Sequence, residues 1–415
     1  MTLLADLLAT VFERRARAAG PSGRDGRTLP ELCAALLGAT GEVSGGALAG
    51  TILDRYESQD DDGRQGFFRH LAEDMGIDPQ RVRAALDQED AVTTPQGYRN
   101  FMAAAEPTRQ ELIRRLNQFP GATPRLVRMR ADLLKFARKD PTLKALDLDF
   151  QHLLASWFNR GFLVLRPISW QSAASVLEKI IAYEAVHAID SWDDLRRRLL
   201  PADRRCFAFF HPAMPDDPLI FVEVALTKGV PSSIQALLEE SREPMTAEAA
   251  DTAVFYSISN CQPGLAGISF GNSLIKQVAS DLSAELSGLK TFVTLSPIPG
   301  LVDWLTREGR AHDPAEAEPM RRIAAHYLMT ARREDGLPVD PVARFHLGNG
   351  ALIHDVHAGA DTSAKGIRQS GGAMVNYLYD LKKVSQNHER FATRHEIAAS
   401  STVRSLSAAE DKNRK

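Results

Sequence analysis

The spacing of apolar residues changes near Gly161, and that change limits what the two parts of the chain can build. Before it the spacing is helical, as in Leu4, Leu7, Leu8, Val11 and Phe12, and the segments are separated by turn signals at Gly20-Pro21, Asp60-Asp61-Asp62-Gly63 and Pro120-Gly121. An all-helical bundle domain over residues 1–158 is predicted. Its His70 and His152 fall inside helical patterns and read as surface or core-edge residues, so this half reads as a packing and oligomerisation module. From residue 159 strand-like runs alternate with helical ones. Phe162-Leu163-Val164-Leu165 reads as a strand and Trp170 to His187 as a helix. Further strands are predicted at Cys206–Phe210, Leu219–Leu226, Ala253–Ser259, Thr291–Leu295 and Ala351–Val356. That alternation predicts an α/β or α+β catalytic domain reaching to about residue 383. The polar remainder, 384–415, reads as one helix and a frayed tail.

The chain can fill such domains: of its 415 residues 44% are hydrophobic and 25% charged. Fifty Lys and Arg against 53 Asp and Glu give a formal charge of -3, so no global field recruits nucleic acid or an anionic membrane. Cys33, Cys206 and Cys261 are odd in number and contain no CxxC pair, which argues against a disulfide framework or a thiolate metal site and fits a reducing cytoplasm. Asp6 and Glu13 interrupt the first twenty residues, so neither a secretory signal nor a membrane span is expected, and acidic residues also argue against a transit peptide. No internal repeat is detectable.

The stretch richest in chemistry runs from Ala253 to Ser259, through Asn-Cys-Gln-Pro-Gly-Leu-Ala-Gly-Ile-Ser-Phe-Gly271, into a helix beginning near Asn272. A strand, a glycine-bearing loop and a helix N-terminus can hold an anion, because glycines permit close backbone approach and unpaired N–H groups point at a phosphate. Leu274, Val278, Leu282 and Leu286 give the helix its apolar stripe, Asn272 or Ser273 can cap it, and Gly288 can end it. Gly267-Ile268-Ser269-Phe270-Gly271 matches the nucleophile elbow of serine hydrolases. That elbow needs a strand running directly into the serine, and Pro263-Gly264 interrupts the chain just before it. No phosphate-binding loop with Lys after its second glycine is present, and His388-Glu389 lacks the second His of a zinc helix. His354, Asp355, His357 and Asp361 are close in sequence, yet strand alternation sends His354 and Asp355 to opposite faces.

Two constrained segments remain. In Thr294-Leu-Ser296-Pro-Ile-Pro-Gly300 a strand ends in a serine stiffened by two prolines. In Phe345-His346-Leu-Gly-Asn-Gly350 a histidine precedes a tight turn, which predicts a ring at the mouth of a site rather than deep in a core. A Ser/His pair serves either as nucleophile and base or as hydrogen-bonding clamp and proton donor, and the residues alone do not separate the two.

Six ordered blocks, Tyr183-Glu-Ala-Val-His187, Phe255-Tyr-Ser-Ile-Ser259, Gly264 to Gly271 with Leu274-Ile-Lys276, Leu295-Ser-Pro-Ile-Pro-Gly300, Phe345-His346 with Asn349-Gly350-Ala351, and Asn376-Tyr377, closely resemble the malonyl-CoA decarboxylase family. The resemblance covers roughly Trp157 to Leu381. It implies a helical oligomerisation domain followed by a catalytic domain of the GNAT acyltransferase fold, and a reaction from malonyl-CoA to acetyl-CoA and carbon dioxide with no cofactor and no metal. It implies Ser296 and His346 as the catalytic pair and Ala266, Gly267, Ile268, Ser269, Phe270, Gly271 and Asn272 as the loop on the CoA pyrophosphate. It also implies a homo-oligomer, dimer or tetramer, formed through the helical domain. The loop departs from a strict GNAT consensus, and Asn413-Arg414-Lys415 lacks the peroxisomal tripeptide of animal members, which leaves the cytoplasm as the expected location.

Overall fold

In the computed structural model, which describes residues 26–88, 93–268 and 274–413, the chain divides after Phe162. The first unit also takes in two later excursions, Pro212–Pro215 and Gln262–Ile268. Its helices are α1 (Leu29–Gly38), α2 (Glu42–Glu57), α3 (Asp61–Glu73), α4 (Pro79–Leu86), α5 (Pro95–Ala105), α6 (Thr108–Asn117), α7 (Ala122–Ala137) and α8 (Lys144–Trp157). Capping side chains set several starts: Asp60 accepts the Gly63 N–H, so the acidic run read as a turn is an N-cap and first helical turn. Thr94 caps α5 in the same way, ahead of Pro95. Leu32, Leu53, Phe68, Leu112, Leu126 and Phe150 are buried in the core. A buried ion pair, Arg109 Nε to Asp149 Oδ2 at 2.5 Å, is completed by Gln110 on Oδ1 at 2.6 Å. The predicted Leu4 to Phe12 helix and the Gly20-Pro21 turn lie outside the described residues.

The second unit is built on one eight-stranded sheet of β1 (Val164–Ile168), β2 (Arg204–Phe210), β3 (Ile220–Thr227), β4 (Thr252–Asn260), β5 (Thr291–Thr294), β6 (Ser296–Pro297), β7 (Leu352–His357) and β8 (Met374–Leu378). The order is β1-β2-β3-β4-β5-β8-β6, with β7 also on β8, and every pairing is antiparallel except β4 with β5. Its helices are α9 (Ala174–Tyr183), α10 (Trp192–Leu199), α11 (Ile234–Leu238), α12 (Leu274–Glu285), α13 (Leu301–Arg307), α14 (Ala317–Thr330), α15 (Pro341–Gly348), α16 (Ala364–Ser370), α17 (Val384–Arg394) and α18 (Ser401–Asn413). The helical first half and mixed α/β second half are therefore both present.

Three expectations are corrected and two strands are added. The first strand begins at Val164, because Arg160–Phe162 forms a 3-10 turn. The helix read as Trp170 to His187 shrinks to Ala174–Tyr183: the Glu184 carboxylate takes the N–H groups of Val186 and His187, both at 2.8 Å, and Ser259 Oγ takes that of Ala185. The two strands that Ser296 and Asn376 occupy escape a periodicity reading, one being two residues long and the other almost uniformly buried. The polar tail is not frayed over its described part. Val403, Ser407 and Glu410 form a buried stripe along α18, and Ile353 exchanges backbone hydrogen bonds with Ala398 and Ser400 just before it.

Candidate active site

The sheet opens where β4 and β5 part. They pair from Thr252 with Thr291 to Phe255 with Thr294, and the last link is the Leu295 N–H on the Phe255 carbonyl. Beyond it Ser296 pairs with Val375 of β8 instead, and Pro297 has no N–H to extend a ladder toward β4. Between the diverging strands lies a cavity of about 240 Å³, lined by Phe255, Tyr256, Ile258 and Asn260 on one side and Ser296, Pro297, Pro341, Val342, Phe345 and His346 on the other, with Val186 beside them. The rigid Ser-Pro-Ile-Pro turn thus does more than aim a hydroxyl: it splits the sheet.

Ser296 and His346, fifty positions apart in sequence, meet there with Ser296 Oγ 3.2 Å from His346 Nε2. His346 is not at an open mouth, as the Gly-Asn-Gly turn suggested. It sits on α15, a helix capped by the Asp340 carboxylate, and its ring is buried at 2% exposure. The ring stacks on Tyr377 with centroids 4.5 Å apart and planes 22° apart. Its Nδ1 lies 2.8 Å from the Tyr379 hydroxyl, and Ser296 Oγ lies 2.9 Å from Thr294 Oγ1, which also accepts the Tyr377 N–H. The proton arrangement that serves each acceptor runs Tyr379 O–H to Nδ1, Nε2–H to Ser296 Oγ, and Ser296 O–H to Thr294 Oγ1. Burial alone pushes the His346 pKa down to about 3, and it raises the Tyr377 and Tyr379 phenols well above their usual value, so all three are neutral at physiological pH.

Tyr379 and Thr294 were not singled out from sequence. The signal for the tyrosine is its period-two spacing from Tyr377, which puts both rings on one side of the chain. Asn376, buried mid-strand, holds the split together: its amide donates to the Thr294 carbonyl at 2.8 Å and to that of Pro231 at 3.3 Å, while its oxygen faces His357.

The block Tyr183 to His187 contributes Val186 to the lining. Glu184 accepts the hydroxyls of Ser257 at 2.6 Å and Ser259 at 3.3 Å as well as the two loop amides, so its carboxylate fixes the chain that carries Val186 into the cavity. Nearby, burial and the Glu184 charge raise the fully buried Glu223 to about 8 although Arg198 reaches it at 3.2 Å.

Of the predicted loop, Ala266, Gly267 and Ile268 are described, whereas Ser269, Phe270, Gly271 and Asn272, with the proposed Asn272 or Ser273 cap, lie outside the described residues. Strand β4 ends at Asn260 and a 3-10 turn, Pro263–Leu265, follows, so no strand runs directly into the Gly-x-Ser-x-Gly segment. Arg130, itself 2% exposed, donates to the carbonyls of Gly264 at 2.8 Å and Ala266 at 2.9 Å and pairs with Asp147. Past the segment, Leu274, Val278 and Leu282 are buried as the stripe predicts. His357, Asp355 and Asp361 are engaged by Asn376, Arg321 and Gln235, and among the described residues no group of three or more His, Cys, Asp or Glu could hold a metal ion.

The malonyl-CoA decarboxylase N-terminal domain matches residues 75–158, and the malonyl-CoA decarboxylase C-terminal domain matches 161–319 and 311–415. The mitochondrial malonyl-CoA decarboxylase of Anser anser anser is 34% identical over 83% of this chain and 80% of its own, and that of Rattus norvegicus is 32% identical over 83% and 82%. Crystal structures of malonyl-CoA decarboxylase from Rhodopseudomonas palustris (48% identity, TM-score 0.85, 91% of this chain and 98% of that one) and Agrobacterium vitis (48%, 0.86, 91% and 99%) superpose on it. With both domain matches and relatives of this extent, the chain belongs to the malonyl-CoA decarboxylase family, a family of carboxy-lyases.

Proposed function

We propose that the protein converts malonyl-CoA to acetyl-CoA and carbon dioxide, with Ser296 and His346 stabilising and protonating the enolate. The observation that carries this reading is the neutral, buried Ser296–His346 pair in the opening of the sheet. Cleavage of the carbon–carbon bond releases carbon dioxide and leaves its electron pair on the thioester as an enolate. The enzyme must hold the charge growing on the thioester oxygen and return a proton to the α-carbon. The thioester delocalises the charge itself, so no electron-sink cofactor is required. A neutral imidazole with Nε2–H turned into the site is a suitable uncharged donor: as that proton passes to the α-carbon the Tyr379 O–H proton moves to Nδ1, so the ring stays neutral, and the proton consumed is replaced from solvent. Tyr379 and the Tyr377 ring fix its tautomer and plane. Ser296 orients the malonyl head. It does so by turning its O–H from Thr294 to the substrate carboxylate, and since the imidazole donates to its oxygen instead of taking its proton, it is not activated as a nucleophile. Residues Ala266 to Asn272 take the CoA pyrophosphate, and the helical unit forms the homo-oligomer. The three cysteines, all unpaired and buried, fit a cytoplasmic protein, and no described helix is long and apolar enough to cross a membrane.

Purified protein given malonyl-CoA and no acceptor should yield acetyl-CoA stoichiometrically with carbon dioxide, at a rate unchanged by exhaustive chelation. Turnover that appears only with an amine or thiol acceptor would assign acyl transfer instead, and activity restored by a defined metal would return His354, His357 and Asp361 to consideration.

A second expectation concerns pH. Because burial holds His346 neutral down to about pH 3, His346 should contribute no step to kcat between pH 6 and 8; a step near pH 6 that survives in His346→Asn belongs to Asp340, whose carboxyl burial raises to about 6. A step there that disappears in His346→Asn would mean that the imidazolium, and not the imidazole, is the working form.

A further inference from the structure

Ser296 and His346 are carried by different elements, and one buried side chain outside the cavity lining touches both elements. Asp340 is 1% exposed. Its Oδ1 accepts the Ala343 N–H at 2.8 Å, capping α15, the helix that carries His346 in its last turn. Its Oδ2 reaches forty positions back in sequence to accept the Gly300 N–H at 3.4 Å, at the end of the turn that begins with Ser296. An N-cap needs only the first of these bonds.

Behind Gly300 the packing is closed: a Cβ there would stand 2.5 Å from the Tyr327 hydroxyl and 3.8 Å from Asp340 Oδ2. Arg344, on the same helix, donates through one guanidinium nitrogen to the carbonyls of Pro338 and Val339, both at 2.7 Å, and acts on Asp340 through its charge. The hydrogen bonds to the carboxylate come from backbone N–H groups of the two elements whose spacing matters.

We propose that Asp340 is a positioning residue for decarboxylation, tying the Ser296 turn to the His346 helix and so setting the 3.2 Å approach of the pair. The inference rests on the reading of Ser296 and His346 given above. It adds a residue that touches no substrate and acts through both. The geometric sensitivity of catalysis gives its expected size, since a displacement of about 1 Å at reacting groups costs on the order of 10²-fold in rate.

Asp340→Asn separates the two bonds. Asparagine is as good an N-cap as aspartate, but its amide offers one acceptor oxygen, so the cap stays and the link to Gly300 goes. Melting temperature should stay close to wild type while kcat falls roughly 10- to 100-fold and KM for malonyl-CoA moves less than about twofold. In a Ser296→Ala background the same substitution should cost less than threefold in rate, because there is no longer a pair to align. Asp340→Ser, which also caps but is too short to bridge, should repeat the result if the asparagine variant folds poorly. Selective ¹⁵N-histidine labelling reads the alignment without turnover: the His346 Nε2 resonance, assigned by its loss in His346→Asn, should shift in Asp340→Asn. Wild-type kcat with an unmoved resonance would overturn the proposal, as would an equal rate loss with and without Ser296. An enzyme that leaves malonyl-CoA intact would instead sink the functional reading, and the resonance would still decide whether Asp340 sets the imidazole.

Discussion

Ser296→Ala and His346→Asn should each reduce kcat by ~10²–10³, the usual cost of removing one hydrogen-bond donor that acts mainly in the transition state, about 2.7–4 kcal/mol. Affinity for the CoA portion should hardly change, since that portion is assigned to a separate loop. The two side chains share one contact, so their effects should not add: the double variant should be little slower than the poorer single one. Two independent folding residues would multiply their losses instead. The choice of asparagine keeps a polar group of similar reach beside Tyr379, where alanine would leave a void under the Tyr377 ring. Circular dichroism and thermal melting belong with the kinetics, because both positions are buried. Folded variants that turn over malonyl-CoA at near wild-type rates would remove the pair from the mechanism.

The second large effect is expected away from the cavity. At Gly264 a Cβ would stand 1.8 Å from the Val127 carbonyl oxygen, backbone against backbone, so no side-chain rotation relieves it. Gly264→Ala should therefore sit at or beyond the upper end of the ~1–3 kcal/mol usual for overpacking, with a melting temperature lower by on the order of 5–10 °C. It should also raise KM for malonyl-CoA more than it lowers kcat. The clash displaces the turn that enters the proposed CoA loop, where Arg130 holds the carbonyls of Gly264 and of Ala266, the first loop residue. A variant that melts within a degree of wild type with unaltered KM would show that the turn gives way freely and that the loop is seated by other contacts.

Much of the fold was legible because the apolar repeat changes where the architecture changes. Strands such as Ile220–Thr227 and Thr252–Asn260 stand within a residue of their predicted bounds, because buried runs bounded by turn residues leave little choice. What escaped has a common cause. Strand β6 holds two residues, and its role, parting β5 from β4, depends on which neighbour it pairs with. The extent of α9 was decided by Glu184 capturing the next amides, a side-chain effect that a hydrophobic pattern does not register. The pair Ser296 and His346 could be named from motif, but the depth of His346 could not, since the tight turn after it says nothing of the Tyr377 and Tyr379 rings arriving from another strand. Asp340 was not singled out: Asp340-Pro341 carries the local signal of a helix start, but the bond from Gly300, across forty positions, has no local signal at all.

The short excursion Gln262–Ile268 has a consequence for how this architecture can be taken apart. The segment leading into the proposed CoA loop belongs with the helical unit, where Arg130 grips two of its carbonyls, Gln151 donates to the Gly267 carbonyl at 3.1 Å and the Val127 backbone leaves no room for a side chain at Gly264. The helical half thus seats a segment that the chain reaches only from within its second half. In a chimera joining the helical half of one family member to the catalytic half of another, Val127, Arg130, Gln151 and Gly264 would have to travel as one inherited set, although more than a hundred residues of chain lie between Arg130 and the carbonyls it holds.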